Sequence, residues 1–259
     1  MSRSARTALL LAAAAGIGVL LVLAFGLLPH FGTAHHPYGD RAVATALHDR
    51  HTANVVSSVN FDQRALDTLG EEFILFASVL GALVLLRPGR DEVEFTRNGD
   101  HLVDRSHQPG QVLDTVRLLG YLLLPVTMLV GWYIVVHGAI TPGGGFQGGI
   151  VLATGLHLLY LAGDYRALRA LSPIRPLDVG EAVAAGAFVL VGLTGTVLAG
   201  GFLTNFLPTG TLRSLTSGGT VPLLNTVVGI EVAAGIVLLL ARFFEQDLRI
   251  RTDDHGGTR

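Results

Sequence analysis

The chain of 259 residues contains no cysteine and no lysine. Without cysteine there is no disulfide, no thiolate catalysis and no iron–sulfur ligation. All eighteen basic side chains are arginine, which suggests a GC-rich genome. Charged residues make up only 15% of the sequence, against about a quarter in a soluble domain. A formal net charge of −2 offers no footing for a nucleic-acid partner. There is no H-E-x-x-H, no cysteine–histidine zinc spacing and no Walker A loop. No nucleophile stands beside a base. These absences leave no catalytic residue, no metal site and no cofactor to assign, and the chain is not expected to be an enzyme.

What the sequence has instead is apolar length. Half of its residues are hydrophobic, mean hydropathy is +0.53, and the apolar residues come in blocks. Blocks at 7–28, 69–87, 117–138, 145–163, 179–203 and 222–242 each reach the ~20 residues that cross a ~30 Å hydrocarbon core. The expectation is an all-α, polytopic membrane protein with six transmembrane helices. The first block follows Arg3 and Arg6 as a signal peptide would, but it is long and Gly26-Leu27-Leu28-Pro29-His30 is a poor cleavage site, so it reads as a retained helix. Residues 1–87 form a two-helix part, 88–116 a polar linker, 117–244 a four-helix part and 245–259 a polar, frayed tail. Six spans put both ends on one side. Four arginines, Arg41, Arg50, Arg64 and Arg213, fall on one face of the membrane and the other fourteen on the opposite one. The positive-inside rule then makes both termini cytoplasmic.

The stretch His137–Gly149, H-G-A-I-T-P-G-G-G-F-Q-G-G, joins two of these spans and on this topology faces outside. Its glycines permit positive φ and close backbone approach, and Pro142 ends a helix. It reads either as a tight turn or as a packed hinge beside a polar path.

Ionisable groups at membrane depth usually face protein or water. Glu231 lies mid-span, with Asn225 less than two turns earlier. It reads as a carrier of protons or a cation, or as a paired acid holding helices together. Asn225 itself would cap its helix or bond a neighbouring backbone. Gln147, Thr154 and His157 share a face at helical spacing, and His157 is a proton relay or a packing histidine. His137 closes its span and Thr127 lies mid-span, where it bonds its own helix or faces a path. Arg64, Asp67 and Glu71 fall at i, i+3 and i+7 on one face, with Asp67 placed to cap the helix that Glu71 and Glu72 begin. The apolar run Val55–Phe61 before them allows a broken or re-entrant helix that carries the acids deeper. Asp178, after Pro176 and before Glu181, reads as another cap.

Two blocks carry a family resemblance. Pro142, Gly143, Gly144, Gly145, Phe146, Gln147, Gly148 and Gly149, after His137-Gly138 and before His157, together with N-T-V-V-G-I-E-V-A-A-G (Asn225–Gly235), resemble the MnhB/MrpB family, the B-type component of Mrp-type multisubunit Na⁺/H⁺ antiporters. N-V-V-S-S-V-N-F-D-Q-R-A-L-D-T-L-G-E-E (Asn54–Glu72) is similar to the C-terminal end of the large A-type component of the same antiporters, and to a small component of related membrane-bound hydrogenases. Phe61, Asp62, Arg64, Asp67, Thr68, Gly70 and Glu71 match its core pattern. The large pumping domain of the A-type component and its intramembrane lysines are missing from this chain.

The resemblance implies a subunit of a monovalent cation (Na⁺)/proton antiporter in a bacterial cell (inner) membrane. It would contribute to ion translocation and to pH and sodium homeostasis, with other subunits and the bilayer as partners, among them large proton-antiporter-like subunits. Na⁺ and H⁺ would be its cargo. Glu71, Glu231, His157, His137, Gln147, Asp67 and Thr127 are the ion-path candidates. Two alternatives stay open: a purely structural interface subunit, and a membrane-arm subunit of a hydrogenase or other complex I-like enzyme.

Overall fold

A computed structural model describes residues 3–28, 36–86, 113–163 and 174–256. Every regular element among them is helical. In hydrocarbon the backbone has no water to bond, so a long apolar run satisfies its own amides by coiling. The chain divides into two compact units, Met1–Arg41 and Ala42–Arg259. The first holds α1 (Arg3–Gly26), an uninterrupted helix whose leucines and valines are exposed all round. A short helix α2 (Pro37–Ala44) continues into a π turn, Thr45–Asp49.

Past this turn, the second unit takes up an interrupted helix. Asn54 accepts a bond from the Ser57 amide and caps α3 (Val55–Ser58), which passes into a second π turn, Val59–Gln63. Arg64 breaks the run with φ −138° and ψ 38°, and α4 (Ala65–Leu85) follows. The Thr68 hydroxyl, one turn into α4, donates to the Asn60 carbonyl at 2.6 Å and holds the break shut. The helix therefore starts four residues before the apolar run alone indicated. Asp67 does not cap it; that position belongs to Arg64, and Asp67 pairs with the Arg64 guanidinium.

Four more helices complete the unit: α5 (Asp114–Val136), α6 (Gly145–Gly163), α7 (Ile174–Ala199) and α8 (Val221–Gly256). Five helices have the length and apolarity of a membrane span: Ser4–Gly26, Ala65–Leu85, Asp114–Val136, Val179–Ala199 and Val221–Phe243. The sixth expected span, α6, is shorter in its apolar part, Gly145–Leu159. This is an all-α, multi-pass membrane protein. The last helix runs on to Gly256, so the expected tail is helical over residues 245–256. Most of the expected linker, 88–112, lies outside the described residues, and α5 takes up its last three positions.

The span of α8 is 61% buried, whereas those of α4, α5 and α7 are buried by about a fifth, so α8 is the hub. The core joins Phe61, Ala65 and Leu69 from the interrupted helix to Ala184 and Phe188 of α7 and to Leu224, Val227, Val228 and Val232 of α8. The Phe61 and Phe188 rings lie 6.5 Å apart, centre to centre. On the other side of α8, the glycines of α6 admit close approach: a methyl at Gly149 would meet the Gly229 carbonyl and Val232.

Candidate functional site

Two polar constructions sit inside this apolar frame. The first is the glycine-rich turn between α5 and α6. Asn225, fully buried on α8, is its centre. Its Oδ1 accepts the Gly145 amide at 2.9 Å, and its Nδ2 donates to Ser57 Oγ at 2.8 Å and to the Val221 carbonyl at 3.0 Å. Asn54 works from the opposite flank. Its Nδ2 donates to the carbonyls of Gly138 at 2.8 Å and Thr141 at 2.9 Å, and its amide donates to the Ala139 carbonyl at 3.0 Å. Buried carbonyls and amides need such partners. The glycines follow from this crowding. Gly144 has φ +140°, and a methyl there would stand 2.6 Å from Asn225 Oδ1. A tight turn and a packed hinge are here the same object, clamped by two asparagines.

The second construction is a pair of carboxyl groups. Along α4 the buried positions are Ala65, Thr68, Leu69, Glu72 and Val79, a stripe at helical period. Glu72 lies on that stripe, and Glu71 points outward with Asp67 and Gly70. Glu231 lies on the buried face of α8, beside Val228 and Val232. Glu72 is 1% exposed and Glu231 0%, and the two carboxyl groups interact directly with each other. Apart from each other's carboxyl, no donor among the described residues reaches any of their four oxygens. Glu181 of α7 is also buried, and its Oε1 stands 3.0 Å from where a methyl on Gly235 would be. Gly235 is one turn beyond Glu231, about 6 Å along α8. Three buried acids on three helices thus follow one another along the hub.

A third feature lies at the turn end of the unit, outside the spans. Arg50 Nε is 3.1 Å from Asp62 Oδ2, and the Asp62 side chain is only 2% exposed. Burial pushes the Asp62 carboxyl above the usual carboxylate range, against the opposing pull of the Arg50 guanidinium and of the Asn205 side chain. Asn205 also accepts the Thr220 amide and donates to the Gly218 carbonyl, and Thr209 Oγ1 meets His51 Nδ1 at 3.2 Å. These bonds tie the segment between α7 and α8 to the loop after the first π turn.

Of the ion-path candidates named from sequence, only Glu231 belongs to the acid pair; Glu72 was named beside Glu71 at the start of its span but not as a candidate. Glu71 and Asp67 are exposed on α4, the latter in its ion pair with Arg64. Gln147 is exposed, at the start of α6. His137 is half-buried and stacked on Tyr133, ring centres 4.0 Å apart, with Nδ1 at 2.9 Å from the Tyr133 carbonyl. Thr127 donates to the Leu123 carbonyl of its own helix at 2.8 Å, and Thr154 to that of Ile150. His157 is half-buried on α6. Sequence reasoning did not place Glu72 or Glu181 at a site. A signal was available for Glu72: it continues the apolar stripe Ala65–Leu69 by one turn. Among the described residues no cluster of three or more histidine, cysteine, aspartate or glutamate side chains is placed to hold a metal.

Comparison with known proteins fits this architecture. An uncharacterized protein of Methanocaldococcus jannaschii is 29% identical over 204 residues, covering 71% of this chain and 74% of that protein. A probable K⁺/H⁺ antiporter A/B component of Rhizobium meliloti is 30% identical over 146 residues, 51% of this chain but only 15% of that much longer protein. A chain of the archaeal membrane-bound sulfane sulfur reductase, a respiratory membrane complex, superposes with TM-score 0.68 at 26% identity, covering 92% of this chain and 97% of that one. A chain of the Mrp complex from Dietzia sp. DQ12-45-1b superposes with TM-score 0.63 at 25% identity, covering 93% of this chain and 26% of that one. Residues 115–238, from the start of α5 to the last buried turns of α8, match the family described as a domain related to the MnhB subunit of Na⁺/H⁺ antiporters. That segment of the chain is similar to an MnhB-related domain and is carried in a multi-pass membrane protein.

Proposed function

We propose that the chain is a membrane subunit of a Mrp-type complex that exchanges a monovalent cation for protons. The observation that carries this reading is the superposition over 93% of the chain on a chain of an Mrp complex, which takes in the interrupted helix as well as the MnhB-related segment. The chain corresponds to about a quarter of that Mrp chain, so transport would belong to the assembly. Its partners would be further subunits, including large antiporter-like ones, seated on the exposed apolar faces of α5 and α7. Broken helices with buried ionisable groups are a recurring device of ion-coupled carriers, and α3–α4 with Glu72 has that form. Both termini would be cytoplasmic and the glycine-rich turn outside. Glu71 and Gln147, exposed at membrane depth, would face partner subunits along the ion path, with His137, His157, Asp67 and Thr127 tuning it from the periphery.

A second reading is favoured by the sulfane sulfur reductase superposition, which spans 97% of its chain. There the same subunit would sit in the membrane arm of a respiratory enzyme. Purification of the intact complex from native membranes, followed by subunit identification and by Na⁺- and K⁺-driven proton exchange in sealed vesicles, separates the two. Antiporter-like subunits and cation-dependent exchange support the first reading. Redox subunits with cysteine-ligated clusters in the same complex overturn it in favour of the second.

A further inference from the structure

We propose that Glu72 and Glu231 form a buried two-carboxylate site that holds one positive charge at a time, either a proton or a desolvated monovalent cation. This rests on the reading of the chain as part of an exchanger and gives that reading an address.

The argument is one of charge and donors. Two carboxyl groups lie together at 1% and 0% exposure, and apart from each other no donor among the described residues reaches their four oxygens. Two bare carboxylates removed from water repel each other and lose their hydration, so leaving both charged and unpaired is strongly unfavourable. A positive charge between them relieves both. Arg64, eight residues before Glu72, pairs with Asp67, and Arg50 pairs with Asp62. A single proton shared by the pair leaves it with charge −1. A single M⁺ in place of that proton leaves it with the same charge −1. Exchange therefore alters neither the charge of the site nor its field on the surrounding helices. A divalent ion fits poorly, because Ca²⁺ and Mg²⁺ seek about six or more oxygens, and here four sit among apolar side chains. The balance is M⁺ in and H⁺ out, with no bond made or broken beyond O–H.

The surroundings are consistent with a closed compartment. Leu69, Leu224 and Val228 pack on the turn side of the pair, and Val79 and Leu238 on the other. Among the described residues, the other ionisable groups around it are Glu71 on the same turn of α4 and Glu181 on α7. At this level α6 presents Gly149 and α5 presents Val135 to α8, neither ionisable; His157 lies about 12 Å further along α6. The second π turn contributes Phe61 to the same core and holds Asp62 in its pair with Arg50.

The test uses the purified complex in detergent. Infrared difference spectra follow the protonated-carboxyl C=O band, and a pH indicator follows proton release, when choline is exchanged for Na⁺ or K⁺. The wild-type complex is expected to lose a protonated carboxyl and release about one proton per copy of this chain, as one shared site predicts. Glu72→Gln and Glu231→Gln complexes are expected to show neither, while Ser78→Ala, on the exposed face of α4, retains both. If a glutamine variant does not assemble, Glu231→Asp draws the carboxyl back by one methylene and is expected to weaken apparent cation affinity by about tenfold or more. Proton release and band unchanged in both glutamine variants, or an unchanged affinity in Glu231→Asp, overturns the proposal. Cation-linked proton release without vesicle antiport upholds the site and refutes the transport reading. Antiport with release unaffected by either substitution refutes the site alone.

Discussion

Replacing Asn225 by alanine tests whether the glycine-rich turn is fixed by the buried asparagine or by its own backbone preferences. The substitution strands the Gly145 amide and removes the donor to Ser57 Oγ, both inside the unit. Leaving a buried polar group unsatisfied costs about 1–3 kcal/mol each, so the loss for the two is about 2–6 kcal/mol. Gly144→Ala acts on the same spot from the other side. It places a Cβ 2.6 Å from Asn225 Oδ1 and forces alanine to φ +140°. The backbone strain is about 1–3 kcal/mol, and the overlap adds about 1–3 kcal/mol. The double variant no longer has the oxygen that the methyl struck. It is therefore expected to be less destabilised than the sum of the singles by about 1–3 kcal/mol, a coupling within the range seen for contacting residues. Equilibrium unfolding of the purified protein in mixed micelles, carried through as a double-mutant cycle, measures that difference. A strictly additive cycle would falsify the contact argument and leave only backbone strain to explain the glycine.

Three further outcomes are expected. Asp62 keeps its proton to higher pH in the folded chain than in the unfolded one, so the native state binds more protons in that interval and stability falls as pH rises through it; Asp62→Asn should flatten this decline in a pH series of unfolding midpoints, and an identical slope in the variant would show that Asp62 is not its source. Gly235→Leu thrusts a side chain into Glu181 Oε1 and Val79 Cγ2, at 3.0 and 3.3 Å from its Cβ, and should lower stability by about 1–3 kcal/mol, where a wild-type melting curve would contradict the close packing of α4, α7 and α8. Because the chain has no cysteine, Thr141→Cys is a clean reporter of sidedness: labelling by an impermeant thiol reagent from outside intact cells supports the assigned topology, and labelling only after lysis reverses it.

The helices were legible because a bilayer leaves few choices: about twenty apolar residues in a row must coil, and such runs are visible without any alignment. The chemistry was less so. Glu71 and Glu72 are adjacent and chemically identical, and family pattern draws the eye to the first; only the phase of the stripe Ala65, Thr68, Leu69 and Val79 assigns the second to the interior. Glu181 lies near the beginning of its apolar run, where an acid looks like a helix-end feature. It is buried because α8 offers Gly235 opposite it, a pairing of residues 54 positions apart that no local rule contains. Asn225 was readable as a polar residue within the last span, but its partners Ser57 and Gly145 come from two other segments. The loop contacts of Asp62, Asn205 and His51 depend on the same long-range assembly.

The asparagine bonds reach across a seam. Asn54 and Ser57 are made before residue 87, and the carbonyls and side chain they meet, from Gly138 to Asn225, are made after residue 112. On a ribosome, the first half waits for the second before its buried polar groups find partners. The two acids of the pair come likewise one from each half. Carrying both acids in one polypeptide therefore does more than shorten a search. It fixes their ratio at one to one, so no molecule of this protein can be synthesised to full length carrying Glu231 without Glu72.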